Sequence, residues 1–471
     1  MCSPIGRSLR KDSALTEAEQ NKHRARDYTS GHLARNIWDL SWPSVVSMTL
    51  LNVPNLLDGV WIGRLGAEAL AAAGIGMALR VTMISPLMAL SGAGGAVVAR
   101  YVGAKDQERA NLAVLQAVLL FVVAAGVIGL IGLAFIKPLL GLAGATGELL
   151  PLAVSYVRII FIGLIAMEMV PSVGFMLVAA GSPELSLRVN LLVSLVIMAS
   201  EPILVLGLGP FPSLGLAGAA LALVLGNSCG MLYALFLLLT RQAPVWIDVH
   251  RLRLDGEVMA RIVRIALPAV IQRGTPNLAQ SILLRLISAY GAAPLATYNL
   301  VMRIFNSFAL TPSMGTSRAA AALVGQNLGA RQPERAEKAA MSIAAVSPVL
   351  AICLLGIATL SNRMILALFT ADAEVIAQGA HIMSIIGLGQ IFYMVSLAFD
   401  SSLTGAGDTV SPMVINTLTL WAVQLPLTYL LSRGLGWRSE GIWWAIVISQ
   451  VCLATLMTLR FRQGRWKLKE I

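Results

Sequence analysis

The sequence predicts an all-α integral membrane protein with twelve transmembrane helices in two parallel-repeat, six-helix lobes. Three observations carry this reading: an apolar composition, twelve long apolar runs, and a repeat relating the two halves. Of 471 residues, 57% are hydrophobic and 13% charged, with a mean hydropathy of +0.77. Soluble domains carry about a quarter of their residues as charges. This chain has too few to coat a soluble surface.

Residues 1–36 are polar, carry both signs of charge and lack the apolar stretch of a secretory signal; they are expected to form a disordered cytoplasmic tail. Apolar runs then follow near 37–63, 68–101, 110–136, 149–178, 185–207 and 215–240. A polar linker at 241–257 separates these from runs at 258–289, 293–326, 338–361, 376–404, 411–432 and 441–461, and 462–471 closes the chain as a basic tail. Each run is long enough, at about 1.5 Å per residue, to cross a core of about 30 Å. The expected units are an N-lobe over 37–240 and a C-lobe over 258–461.

The net charge of +11 does not mark a nucleic-acid binder, because the basic residues fall in short clusters between apolar runs. Loops and tails on the side of the termini hold 24 Lys and Arg, against five on the opposite side. That asymmetry places both termini in the cytoplasm of a multi-pass cell-membrane protein. The four cysteines and four histidines are scattered, so neither a disulfide framework nor a metal site is expected. No cofactor motif, P-loop or paired-aspartate cluster for a diphosphate-bound metal occurs, so the chain is not expected to be an enzyme.

The two halves repeat. YVGAKDQERA at 101–110 returns as NLGARQPERA at 327–336, and AAGSPELSLRVN at 179–190 parallels GAGDTVSPMVIN at 405–416, both offset by 226. RLGAEALAA at 64–72 answers AYGAAPLAT at 289–297, offset by 225. Six spans per repeat give both halves the same orientation, with two lobes facing across a cleft.

With Ser41-Trp42-Pro43 opening the first span, DGVWIGRLG at 58–66 and SLTGAGDT closing the tenth, the collinear motifs resemble the multidrug and toxic compound extrusion (MATE) transporters, in particular the DNA-damage-inducible-F-like branch. The resemblance covers residues 37–461. It implies a monomeric secondary antiporter that exports small organic compounds, often cationic or amphipathic, in exchange for inward H+ or Na+. The alternative is a lipid-linked oligosaccharide flippase of the related superfamily, whose cationic cavity would draw on Arg80, Arg273, Arg285, Arg303 and Arg318.

A charge within the bilayer costs about 2.5–3.5 kcal/mol on insertion scales, so each needs a reason. The repeat offers a test. Arg80 has a near counterpart in Arg303 and reads as architectural, whereas Asp58 maps onto Leu283 and Glu201 onto Leu427 or Leu425. Where one lobe manages with leucine, the fold does not demand a carboxylate. Asp58 and Glu201 also coincide with acidic residues that the family uses in its first and fifth helices, so they are the candidate ion-coupling residues. The family's neutral oxygen ligands fall on Ile197 and Leu223, which favours H+ over Na+. Glu168, Met77, Tyr298, Met302, Tyr393 and Asp400 are candidates for the substrate cavity.

Overall fold

The structure is a computed structural model that describes residues 28–147, 149–208, 212–248, 253–360, 362–367 and 373–469. The expected tail at 1–27 and part of the linker, 249–252, lie outside these residues.

The first half contains α1 (Leu33–Gly63), α2 (Ala67–Gly103), α3 (Gln107–Ala134), the short α4 (Ile136–Leu142), α5 (Leu149–Ile162), α6 (Leu164–Ala179), α7 (Pro183–Leu206) and α8 (Leu216–Leu239). The second half contains α9 (Gly256–Ser288), α10 (Ala292–Phe305), α11 (Thr311–Gly329), α12 (Pro333–Leu360), the short α13 (Asn362–Ala367), α14 (Ala373–Gly405), α15 (Val410–Leu418), α16 (Leu425–Tyr429) and α17 (Arg438–Arg462). Among the described residues, eight helices are individually long and apolar enough to span a membrane. The pair α5–α6 makes a ninth, bent by 52° at Gly163. The other three spans are α9, α10–α11 and α12. The helix α9 carries Arg261, Arg264, Arg273 and Arg285, and a π turn at Asn306–Leu310 interrupts α10–α11 ahead of Pro312. Proline withholds an N–H from the ladder, and a π turn re-registers the helix around that gap. The eleventh span uses the same device before Pro426.

Each lobe has its own core, but the lobes exchange a helix start near the face that bears the termini. Leu40 of α1 packs into the C-lobe cluster with Leu323, Phe399 and Phe461, while Val258 and Ile262 of α9 pack into the N-lobe cluster. Leucine and valine side chains such as Val123, Leu130, Leu232 and Leu278 remain exposed on the perimeter. An apolar perimeter of this kind requires lipid around it.

The described residues next to both ends are held by side-chain contacts. Tyr28 is buried, Asn36 donates to the carbonyls of Tyr28 and Ser30, and Arg335 donates to those of Ser30 and Gly31. After α17, a 3-10 turn at Arg465–Leu468 seats Trp466 against Phe461, with ring centroids 4.7 Å apart. Lys469 then reaches Asp408 at 2.8 Å, while its carbonyl accepts from Arg100 at 3.1 Å. Apolar and ionic anchors thus hold the described part of the basic tail, through Lys469.

Candidate functional site

The helix period places Asn190, Ser194, Ile197 and Glu201 on one face of α7, directed at α1. Asn190 donates to the Ser47 hydroxyl and Ser194 donates to the Leu50 carbonyl at 3.2 Å. One turn from the end of both helices that lies opposite the termini, Asp58 and Glu201 stand as electrostatically coupled neighbours. Both are buried. Among the described residues, neither oxygen of Glu201 nor Oδ1 of Asp58 has a hydrogen-bond donor as partner. A proton held between the two carboxyls satisfies both and removes one of two adjacent negative charges.

Ile197 and Leu223 belong to the N-lobe core, as does Tyr156, which lies within electrostatic range of Asp58, Glu201 and Arg80. Tyr156 escaped the sequence reading. A lone tyrosine in an apolar run carries no signal until its neighbours are known.

The other candidates separate into three places. In the N-lobe, Glu168 forms an ion pair with Arg80 at 2.7 Å, and Arg80 also reaches the Met77 sulfur at 3.7 Å. In the C-lobe core, Tyr298 stacks on Trp443 and accepts from Gln280 at 3.1 Å, and Met302 packs beside the same cluster. Tyr393 and Asp400 alone among the candidates line the cavity between the lobes.

That cavity measures about 380 Å³ and is walled by α2 and α6 on one side and α9, α11, α14 and α15 on the other. This is the size of a small-ligand pocket. Apolar surface from Val81, Met88, Phe175 and Met314 surrounds polar groups that include Arg273, Arg318, Gln272, Asp400 and Tyr393. Gln272 donates to Asp400 at 2.9 Å. The Arg318 guanidinium lies 3.9 Å from the Phe175 ring centroid, and its Nε has no hydrogen-bond partner. Arg273 stands close enough to Arg318 for the two charges to repel. The sequence reading placed both arginines only in the cationic cavity of the flippase alternative, although the repeat test would have marked them, since their equivalents are Ser47 and Gly92. Arg285 and Arg303, grouped with them in the flippase alternative, are exposed and do not line the cavity.

Towards the termini the lobes close on one another. Gly103 lies against the Gln326 carbonyl and Gly329 against that of Arg100, with no room for a Cβ at either. Gln326 also donates to the Ala179 carbonyl at 2.7 Å.

Two repeated helical lobes in a lipid-facing shell, with a ligand-sized cavity between them sealed at one end, define a membrane transporter. Comparison with known proteins agrees. A family model described as MatE matches residues 43–203 and again 268–430. The chain is 24% identical over 434 residues to the probable multidrug resistance protein YoeA of Bacillus subtilis, covering 91% of this chain and 93% of that one. It is 26% identical over 410 residues to the FAD transporter of Shewanella oneidensis, covering 85% and 88%. Its fold matches an outward-facing multidrug resistance MATE family transporter of the MOP superfamily with a TM-score of 0.89, at 22% identity, over 95% of this chain and all of the other. The chain belongs to the MatE family.

Proposed function

We propose that this protein is a secondary active exporter of small organic compounds, in which two lobes alternate access to the cavity between them and the Asp58–Glu201 pair couples that motion to inward proton flow. The observation that carries the reading is the pair itself. Two buried carboxyls meet inside one lobe, away from the cavity lining and with only leucines at the equivalent positions of the other lobe. A structural role would not single out one lobe. A coupling role does, because protonating and deprotonating the pair switches α1 and α7 between two hydrogen-bonding arrangements.

The proton is the favoured ion. Sodium needs several oxygens to replace its hydration shell, and Ile197 and Leu223 supply none from their side chains where the family resemblance puts neutral ligands. The face bearing the termini is the cytoplasmic one by its excess of Lys and Arg, so the sealed end of the cavity belongs to a cytoplasm-closed state. The charge around the cavity does not support the expectation of a cationic substrate.

The test is dye export from everted membrane vesicles by the wild type and by Asp58→Asn, matched for membrane content. The reading expects export by the wild type and none by the variant. Equal export by both contradicts it.

A further inference from the structure

We propose that the cavity between the lobes selects anions: its substrates are compact organic molecules with an apolar, ring-bearing body and an acidic group, and Arg318 and Arg273 bind that group. The inference rests on the transport reading above and names the substrate class of the same cavity.

Two guanidinium groups that repel one another line a space with a single carboxylate, Asp400. That carboxylate accepts from Gln272 and sits beside Arg273, which leaves Arg318 as the surplus charge. Arg318 is 93% buried, makes no ion pair among the described residues and keeps an unpartnered Nε. A guanidinium at membrane depth without a carboxylate is costly, and the Phe175 face offsets only part of that cost. An anion entering from outside supplies the rest, because guanidinium binds carboxylate and phosphate oxygens through paired, charge-assisted hydrogen bonds. The fold does not impose the charge, since Gly92, Ser47 and Gly174 occupy the repeat positions of Arg318, Arg273 and Asp400. Phe175, Met88 and Met314 meanwhile offer a ring and two adaptable thioethers to the apolar body.

The experiment compares two dyes with one xanthene scaffold, anionic carboxyfluorescein and cationic rhodamine 123. Binding to the full-length protein in phosphatidylcholine nanodiscs is read by fluorescence polarisation, and export is read in everted vesicles. The proposal expects carboxyfluorescein to bind more tightly than rhodamine 123. Arg318→Gln should weaken carboxyfluorescein by about tenfold or more without weakening rhodamine 123, and Arg318→Lys should restore the preference. Matching thermal midpoints and elution profiles establish that the variants are folded. Adding phosphatidylglycerol to the discs shows whether a lipid headgroup can occupy the same site: competition that requires Arg318 supports recognition of a lipid-borne acid, and its absence supports a free one. Tighter binding of rhodamine 123, equal weakening of both dyes by Arg318→Gln, or binding of neither dye overturns the proposal. The outcome separates the two readings. Arg318-dependent anion binding without export leaves the polarity standing and removes the exporter, while export of rhodamine 123 alone does the reverse.

Discussion

Gly103 and Gly329 are equivalent glycines of the two repeats, and each rests against a backbone carbonyl of the opposite lobe, Gln326 for Gly103 and Arg100 for Gly329. Arg100 and Gln326 are themselves equivalent by the same offset of 226, so the contact is a symmetric cross between the ends of α2 and α11. In both repeats the residue two beyond the glycine, Lys105 or Arg331, turns the chain through a left-handed conformation at φ 58°. The recurring G-A-K/R motif therefore closes the cavity at this face.

Gly103→Ala and Gly329→Ala should each hold the lobes apart there. Overpacking typically costs about 1–3 kcal/mol, which shifts a two-state equilibrium by about 5- to 150-fold. The expected outcomes are greater labelling of a cysteine at Ser317 by a thiol reagent applied from the terminal face, and export reduced by about tenfold. Unchanged labelling of both variants would show that the cross does not seal the cavity.

Much of this architecture was legible in the sequence. The bilayer demands about twenty apolar residues per crossing, so twelve spans could be placed, including the arginine-bearing α9 and the π-interrupted α10–α11. The repeat sorted the carboxylates and pointed to Asp58 and Glu201, which the fold brings together. Cavity contacts were far less readable. A transmembrane helix is apolar on every side, so its composition does not say whether Met77 or Met314 faces the cleft. Glu168 was weighed both as a substrate contact and as the neutraliser of Arg158 or another arginine, and the fold pairs it with Arg80.

At the terminal face Asp408 binds Lys469, Arg460 and Ser411 within the C-terminal half, and the Lys469 carbonyl accepts from Arg100 of the N-lobe. Asp408→Asn should lower thermal stability by about 1–2 kcal/mol, a few degrees in midpoint, because two partly exposed cations lose their shared partner. Burial alone would raise the Asp408 pKa, but the hydrogen bonds from Lys469 and Ser411 and the Lys469 charge together hold it below its ordinary 3.8. A depressed carboxyl contributes stability above its unfolded pKa and loses it as pH falls through the folded value. The stability difference between wild type and variant should therefore stay flat from about pH 5 to 8 and shrink only below about pH 4.

On the opposite face, the Arg303 guanidinium lies 3.9 Å from where a Cβ on Gly59 would stand, so the lobes approach each other there as well. Cysteines at Gly59 and Arg303, in a chain whose native cysteines are replaced by serine, should be bridgeable by a short bifunctional methanethiosulfonate. Bridging should stop export and reduction should restore it. A fully bridged protein that still turns over would exclude relative motion of the lobes.

Coupling through the Asp58–Glu201 pair is tested most directly by export from proteoliposomes under an imposed pH gradient or an imposed sodium gradient, each without the other. The pair should drive export with the proton gradient alone, and both Asp58→Asn and Glu201→Gln should abolish it. Export driven by sodium at symmetrical pH and indifferent to the proton gradient would contradict the account.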